Sequence, residues 1–374
     1  MTHRWRLSAL VFGVGVTLLA TSSLTSVLQA RATVTTIASN LVNPRGLNFG
    51  PDGALYVAEA GSGGSGPCIV GSDGLTKCYG ATGGVRKIVP GSPPGTLFDR
   101  ILDHLPSIAP TGGNLATGPH DVDFQGLGNG YVTIGLGADP DKRQDPAFAS
   151  VGSKFGRLIR FQPNGKWSFE EDLAAFENIA NPDGVEPPDS NPYGLLAGPG
   201  RTIYTDAGGN SLNAVAANGS ISNLAVFPRG AAPFPPFQAV PTSVVLGPDG
   251  DLYVGQLTGG PFPGGAASVW RVPSGGGSPV VYQTGFTKII DIAFGKDGSL
   301  YVLEISAPAG APPFGPPGAL LRIPPGGGTP VNITPTVTGG FVAPGGIAVG
   351  SDGALYITVN SISAAGGFVI KVVE

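Results

Sequence analysis

Chemistry needs nucleophiles, proton carriers or metal donors at useful spacing, and these 374 residues offer few of them. There are three histidines, His3, His104 and His120, and two cysteines, Cys68 and Cys78. His120, in Gly118-Pro119-His120-Asp121-Val122, has no second histidine nearby in sequence. It reads equally as a proton carrier and as a loop residue held by a hydrogen bond. Glu59 and Glu304 stand at the same offset after Tyr56 and Tyr301, so they are either opposed acids or solvated strand ends, with Arg45 available as counter-charge. Asp139, Asp141 and Asp145 approach a calcium loop but lack the glycine and terminal glutamate of an EF-hand. The sequence contains no nucleophile elbow, phosphate-binding glycine motif or zinc-binding histidine cluster.

What would position these residues is a repeated unit. Asn43-Pro44-Arg45-Gly46-Leu47-Asn48-Phe49-Gly50-Pro51-Asp52-Gly53-Ala54-Leu55-Tyr56-Val57 reads as strand, tight turn, strand. Its tyrosine recurs as Tyr56, Tyr131, Tyr204, Tyr253, Tyr301 and Tyr356, always nine residues after an apolar residue: Leu47, Val122, Leu195, Val244, Ile292 and Ile347. Asp-Gly at 52, 249, 297 and 352 suits the positive φ of a hairpin turn, so those aspartates read as turn residues. A third strand follows each hairpin, and a more polar fourth follows at Thr96 to Leu102, Trp167 to Leu173, Ile221 to Phe227, Pro279 to Gln283 and Pro330 to Val337.

Six four-stranded antiparallel units predict an all-β, six-bladed β-propeller. The sixth unit ends at Glu374 without an outer strand, and Thr33 to Ser39 precedes the first unit without a partner. Pairing the two closes the ring and removes two open edges. In such a ring the starts of first strands and the ends of second strands gather at one mouth of the channel. The first group supplies Arg45, His120, Asp121, Tyr193, Thr242 and Asp291; the second supplies Glu59, Asp206, Gln256, Glu304 and Asn360. Long loops open there too, including Ala60 to Gly84, Gly135 to Lys154 and Asn181 to Asn191 with Asp183, Glu186 and Asp189. A ligand site is expected at that mouth.

Residues 1–32 read as a cleaved signal peptide: Arg4 and Arg6, the uncharged apolar run Leu7 to Ala20, then Ala30-Arg31-Ala32. Residues 33–374 form the single propeller domain, exported to a periplasm or beyond the cell. Three arginines and no acid leave with that segment, taking the net charge from −4 to −7. Such a charge offers nothing to phosphate, so nucleic acid is not an expected partner. No segment of the mature chain is apolar enough to span a bilayer, and a monomer is expected. In an exported chain Cys68 and Cys78 read as a local disulfide, since two thiols make an incomplete zinc site.

Longer motifs carry a resemblance. Asn-Pro-Arg-Gly-Leu at 43–47, Ala-Glu-Ala-Gly at 58–61, Gly-Pro-His-Asp-Val at 118–122 and Gly128 to Gly137 resemble the ScyD/ScyE family. So do Asp-Ser-Asn-Pro-Tyr-Gly at 189–194, Asp-Ala-Gly-Gly-Asn at 206–210, Val-Pro-Thr-Ser at 240–243 and Val-Gly-Gln-Leu-Thr-Gly at 254–259. That group comprises exported, NHL-like propellers named for gene clusters that make the pigment scytonemin. The resemblance runs from about Val34 to the C-terminus and implies an extracytoplasmic propeller. Two functions are therefore expected. One is a binding or accessory protein for a small molecule, glycan or protein, linked to extracellular metabolite biosynthesis. The other is a lactonase or hydrolase of NHL or gluconolactonase type, whose divalent metal, calcium or similar, would be gathered in the channel mouth by Glu59, Asp206, Asn360 or Glu304.

Overall fold

The structure is a computed structural model that describes residues 1–2, 32–93, 96–234, 236–310 and 314–374. The expected leader falls on residues 3–31, outside them. The chain from Ala32 to Glu374 is one unit, with 25 strands among its described residues. It opens with β1 (Thr33–Leu41). Blade one holds β2 (Pro44–Phe49), β3 (Leu55–Glu59), β4 (Cys68–Val70), β5 (Thr76–Ile88) and β6 (Arg100–Ala109). Blade two holds β7 (Pro119–Gln125), β8 (Asn129–Ile134), β9 (Arg157–Phe161) and β10 (Trp167–Asp172), with helix α1 (Ala149–Gly152) between β8 and β9 and helix α2 (Leu173–Ala180) after β10. Blade three holds β11 (Pro192–Gly198), β12 (Arg201–Asp206), β13 (Ser211–Ala216) and β14 (Ile221–Val226). Blade four holds β15 (Pro241–Leu246), β16 (Leu252–Gln256), β17 (Ala267–Val272) and β18 (Val280–Phe286). Blade five holds β19 (Ile289–Phe294), β20 (Leu300–Glu304), β21 (Ala319–Ile323) and β22 (Val331–Asn332), and blade six holds β23 (Gly346–Val349), β24 (Leu355–Val359) and β25 (Gly367–Val373).

The strands pair antiparallel in six sheets, as the repeats predict. Blade six takes β1 as its outer strand, from Thr33 opposite Val373 to Leu41 opposite Gly367, with register shifts between Thr36 and Ala38 and between Ala38 and Leu41. Outer strands depart most from expectation. That of blade one begins at Arg100 rather than Thr96, and that of blade five is only two residues long. The loop expected over Ala60 to Gly84 instead contains a hairpin, β4 on β5, bridged by a Cys68–Cys78 disulfide.

The recurring tyrosine and the turn aspartate form one device. Tyr56 donates its hydroxyl to Asp52 at 3.0 Å, and Tyr253 and Tyr356 do the same to Asp249 and Asp352 at 3.0 and 3.1 Å. The other aspartate oxygen accepts a backbone N–H across the turn, as from Ala54. A β-carbon at Gly50 would meet the Tyr56 ring at 2.4 Å, so the residue before Pro51-Asp52-Gly53 has to lack one. The apolar core lies between blades. Leu47, Leu55 and Val57 of blade one, for example, pack with Ala348 and Tyr356 of blade six. Burial of each blade face therefore depends on its neighbour.

Candidate functional site at the channel mouth

One end of the channel holds a cavity of about 540 Å³. Each of the six blades contributes to its wall. Counting two residues back from the apolar marker of the first strand in blades one to five gives Arg45, His120, Tyr193, Thr242 and Ile290, and all five line it; the same position in blade six is Gly345, which does not. From second strands come Ala207, Leu257 and Ile305, with Ile362 from blade six. The disulfide-bridged hairpin adds Asp73, Leu75 and Lys77, and Phe314 closes another side. The wall is thus mostly aliphatic, with a few polar groups concentrated on blades one to three.

Of the expected site residues, Arg45, His120, Tyr193 and Thr242 reach the cavity, while those at second-strand ends are one residue out of register. Successive strand side chains point to opposite faces. Ala207, Leu257 and Ile305 line the cavity, while their predecessors Asp206, Gln256 and Glu304 are buried in contacts within or at the entry of their own blades. Glu59 is fully buried between Arg86 and Arg100 at 3.1 and 2.8 Å and also accepts the Val42 N–H. Asp206 accepts hydrogen bonds from Ser190 Oγ and from the N–H groups of Asn191, Gly208 and Gly209. Gln256 accepts from the indole of Trp270, and Glu304 accepts the Thr287 N–H at 2.7 Å. Asn360 sits at positive φ and donates to the carbonyls of Ala365 and Gly366.

Asp121 and Asp291 stitch blades together. The innermost strand of each blade has no strand beyond it, so its inward N–H groups need other acceptors. Asp121 accepts from Val122 and from Leu195 of blade three, and Asp291 from Ile292 and from Ile347 of blade six, all at 2.8–2.9 Å. Asp123, which sequence reasoning missed, accepts from Ala197 and Asn48 in the same way. Burial pushes all three carboxyls up, Asp291 to about 7 and Asp123 to about 6.

The polar corner of the cavity has a definite charge. Arg45 is buried and donates to the carbonyls of Ser361 (2.9 Å) and Ala116 (2.7 Å); among the described residues no carboxylate pairs with it. His120 packs against Tyr193 with ring centroids 4.4 Å apart. Its Nδ1 lies 3.0 Å from the Pro192 carbonyl and so carries the proton, which makes Nε2 the acceptor. Burial, aided by the Arg45 charge, pushes this imidazole down to about 3, so it is neutral. Lys77 is buried too, at 2.7 Å from Asp73.

Lys77 was missed because the cysteines were read only as a staple. Their spacing held the signal: Cys68 and Cys78 lie five residues either side of Asp73, at a Ser-Asp-Gly turn, which is hairpin symmetry. The donors required by a metal-dependent hydrolase are not gathered. Glu59, Asp206, Glu304 and Asn360 serve separate contacts, and among the described residues no three His, Cys, Asp or Glu side chains form a group able to hold a metal. Among those residues no helix is long and apolar enough to cross a membrane.

No family model matches the sequence, and no curated protein matches it. Solved structures share its architecture. A gluconolactonase from Xanthomonas campestris is similar with a TM-score of 0.53 at 11% identity, over 91% of this chain and 90% of that one. A protein of unknown function from Bacteroides thetaiotaomicron gives 0.52 at 8% identity, over 91% and 75%. Virginiamycin B lyase from Staphylococcus aureus, solved with quinupristin, gives 0.46 at 13% identity, over 92% and 100%. At such identities the likeness is one of fold, and the chemistry has to be argued from the site itself.

Proposed function

We propose that this chain is an exported binding or accessory propeller of ScyD/ScyE type, whose channel mouth holds a small, largely apolar molecule bearing an anionic group. Its place would be in the handling of an extracellular metabolite. The observation that carries the reading is Arg45, a buried guanidinium whose hydrogen bonds go to backbone carbonyls and which has no carboxylate partner among the described residues, on the wall of a largely apolar cavity. A desolvated cation is costly unless something neutralises it, and a ligand anion would do so by a charge-assisted contact. Aliphatic walls favour an apolar body over a glycan, and about 540 Å³ suits a molecule of drug-like size. Neutral His120 adds an acceptor for a ligand hydroxyl or N–H.

The test is calorimetric titration of the chain from Thr33 onward with 2-naphthoate and with the neutral 2-naphthalenemethanol. The carboxylate is expected to bind about tenfold more tightly or better, a difference of roughly 1.4 kcal/mol. Equal binding of the two, or none of either, would overturn the anionic-ligand reading.

A further inference from the structure

Behind the cavity wall, on the side away from Tyr193 and Ala207, the 189–194 and 206–210 motifs meet α2 around a second set of buried polar groups. Glu177 is 1% exposed, and neither of its carboxylate oxygens has a hydrogen-bond partner among the described residues. In the same stretch of chain, Asn181 Oδ1 and Asp189 Oδ1 are also buried and unpartnered. Four orphaned oxygens within thirteen residues call for an explanation, because a buried oxygen without a partner loses its hydration for nothing in return, the more so when charged.

The surroundings deepen the cost. Asp206, Asp183 and Asp189 all act on Glu177, and no basic side chain is among the charges that do. With burial the largest cause, Glu177 is pushed up to about 9. Asp206 cannot relieve it, since its oxygens are already taken by Ser190 and three backbone N–H groups. The Glu177 carboxylate lies over Gly209, where any β-carbon would come within 2.4 Å of Oε2. Asp189 opens the 189–194 motif, and Asp206 to Asn210 is the other.

We propose that the space between α2 and the Asp206–Asn210 turn binds one hard divalent cation, calcium by its all-oxygen surroundings, through Glu177 and Asp189, with neutral oxygens of the same segment completing the shell. Two carboxylates with amide and main-chain oxygens form such a shell without a third acid, which agrees with the absence of a three-carboxylate group among the described residues. The bound ion would neutralise Glu177 and pin the 181–191 loop, which leads directly into β11 and the cavity residue Tyr193.

Chelator-stripped protein from Thr33 onward would be titrated with calcium chloride by calorimetry, and its melting temperature read with and without 1 mM calcium. One calcium per chain and a rise of several degrees are expected. Glu177→Gln should weaken binding at least tenfold and abolish the rise, and Asp189→Asn should weaken binding, whereas Glu304→Gln should leave both readings unchanged. Absence of calcium binding in the parent protein would overturn the proposal and leave Glu177 as a buried neutral acid. Binding that survives both Glu177→Gln and Asp189→Asn would overturn it as well, by placing the ion elsewhere.

Discussion

The Tyr193 ring lies against the imidazole of His120, centroids 4.4 Å apart and planes 34° apart, while His120 Nδ1 is fixed on the Pro192 carbonyl of the same strand. A ring held this way has one tautomer and little access to water. Proton NMR should show the His120 imidazole signal, identified by its loss in His120→Gln, in its neutral position from pH 8 down to 4.5. Movement with a midpoint above pH 5 would show that the ring is more hydrated than its packing implies.

Arg45→Met keeps most of the side-chain volume and removes the charge. Binding of 2-naphthoate should fall at least tenfold, while binding of 2-naphthalenemethanol should hold. The carbonyls of Ser361 and Ala116 lose their donors, so a stability loss of about 1–3 kcal/mol in urea titration should accompany the change.

Stability should fall between pH 5 and pH 7. Burial raises Asp291 to about 7 in the folded protein, against about 3.9 for an unfolded aspartate. The native state therefore binds more protons in that window. The associated stability is full below the unfolded value and is lost as pH rises through the folded one. Asp291→Asn should flatten the fall by up to about 1.4 kcal/mol per pH unit. A slope unchanged in Asp291→Asn would assign the effect to other buried acids such as Asp121.

Replacing both cysteines by serine frees the hairpin that carries Asp73, Leu75 and Lys77 to the cavity. Closing so short a loop contributes about 3 kcal/mol in the chain-entropy limit. Naphthoate affinity should drop more in this variant than in Glu59→Gln, which unsettles blade one elsewhere. Parallel melting and calorimetry on the two variants would separate these effects.

Blade number, hairpin turns and ring closure were legible because they are periodic: six tyrosines at one offset and a lone strand at each end permit few other solutions. Site residues on first strands were legible in part. Arg45, His120 and Tyr193 share the position two before the apolar marker, and the structure puts all three on the cavity. On second strands charge pointed to Asp206, Gln256 and Glu304, although those groups serve contacts within their own blades and entry loops and the cavity takes their apolar successors. Helix α2 was hidden because Leu173 to Ala180 continues directly from an outer strand, and only Asp172, which caps it through the Ala175 N–H at 2.9 Å, marks the change.

The pairing of β1 with β25 sets an order of events. Thr33 and Val373 are neighbours in the finished sheet yet lie at opposite ends of the described domain. The first of the described strands waits for the last of them, and no blade-by-blade assembly can close the ring until β25 is available. A chain threaded through a membrane from its N-terminus would arrive with its clasp first and its catch last, and would stay open, edges unguarded, for the whole of its passage.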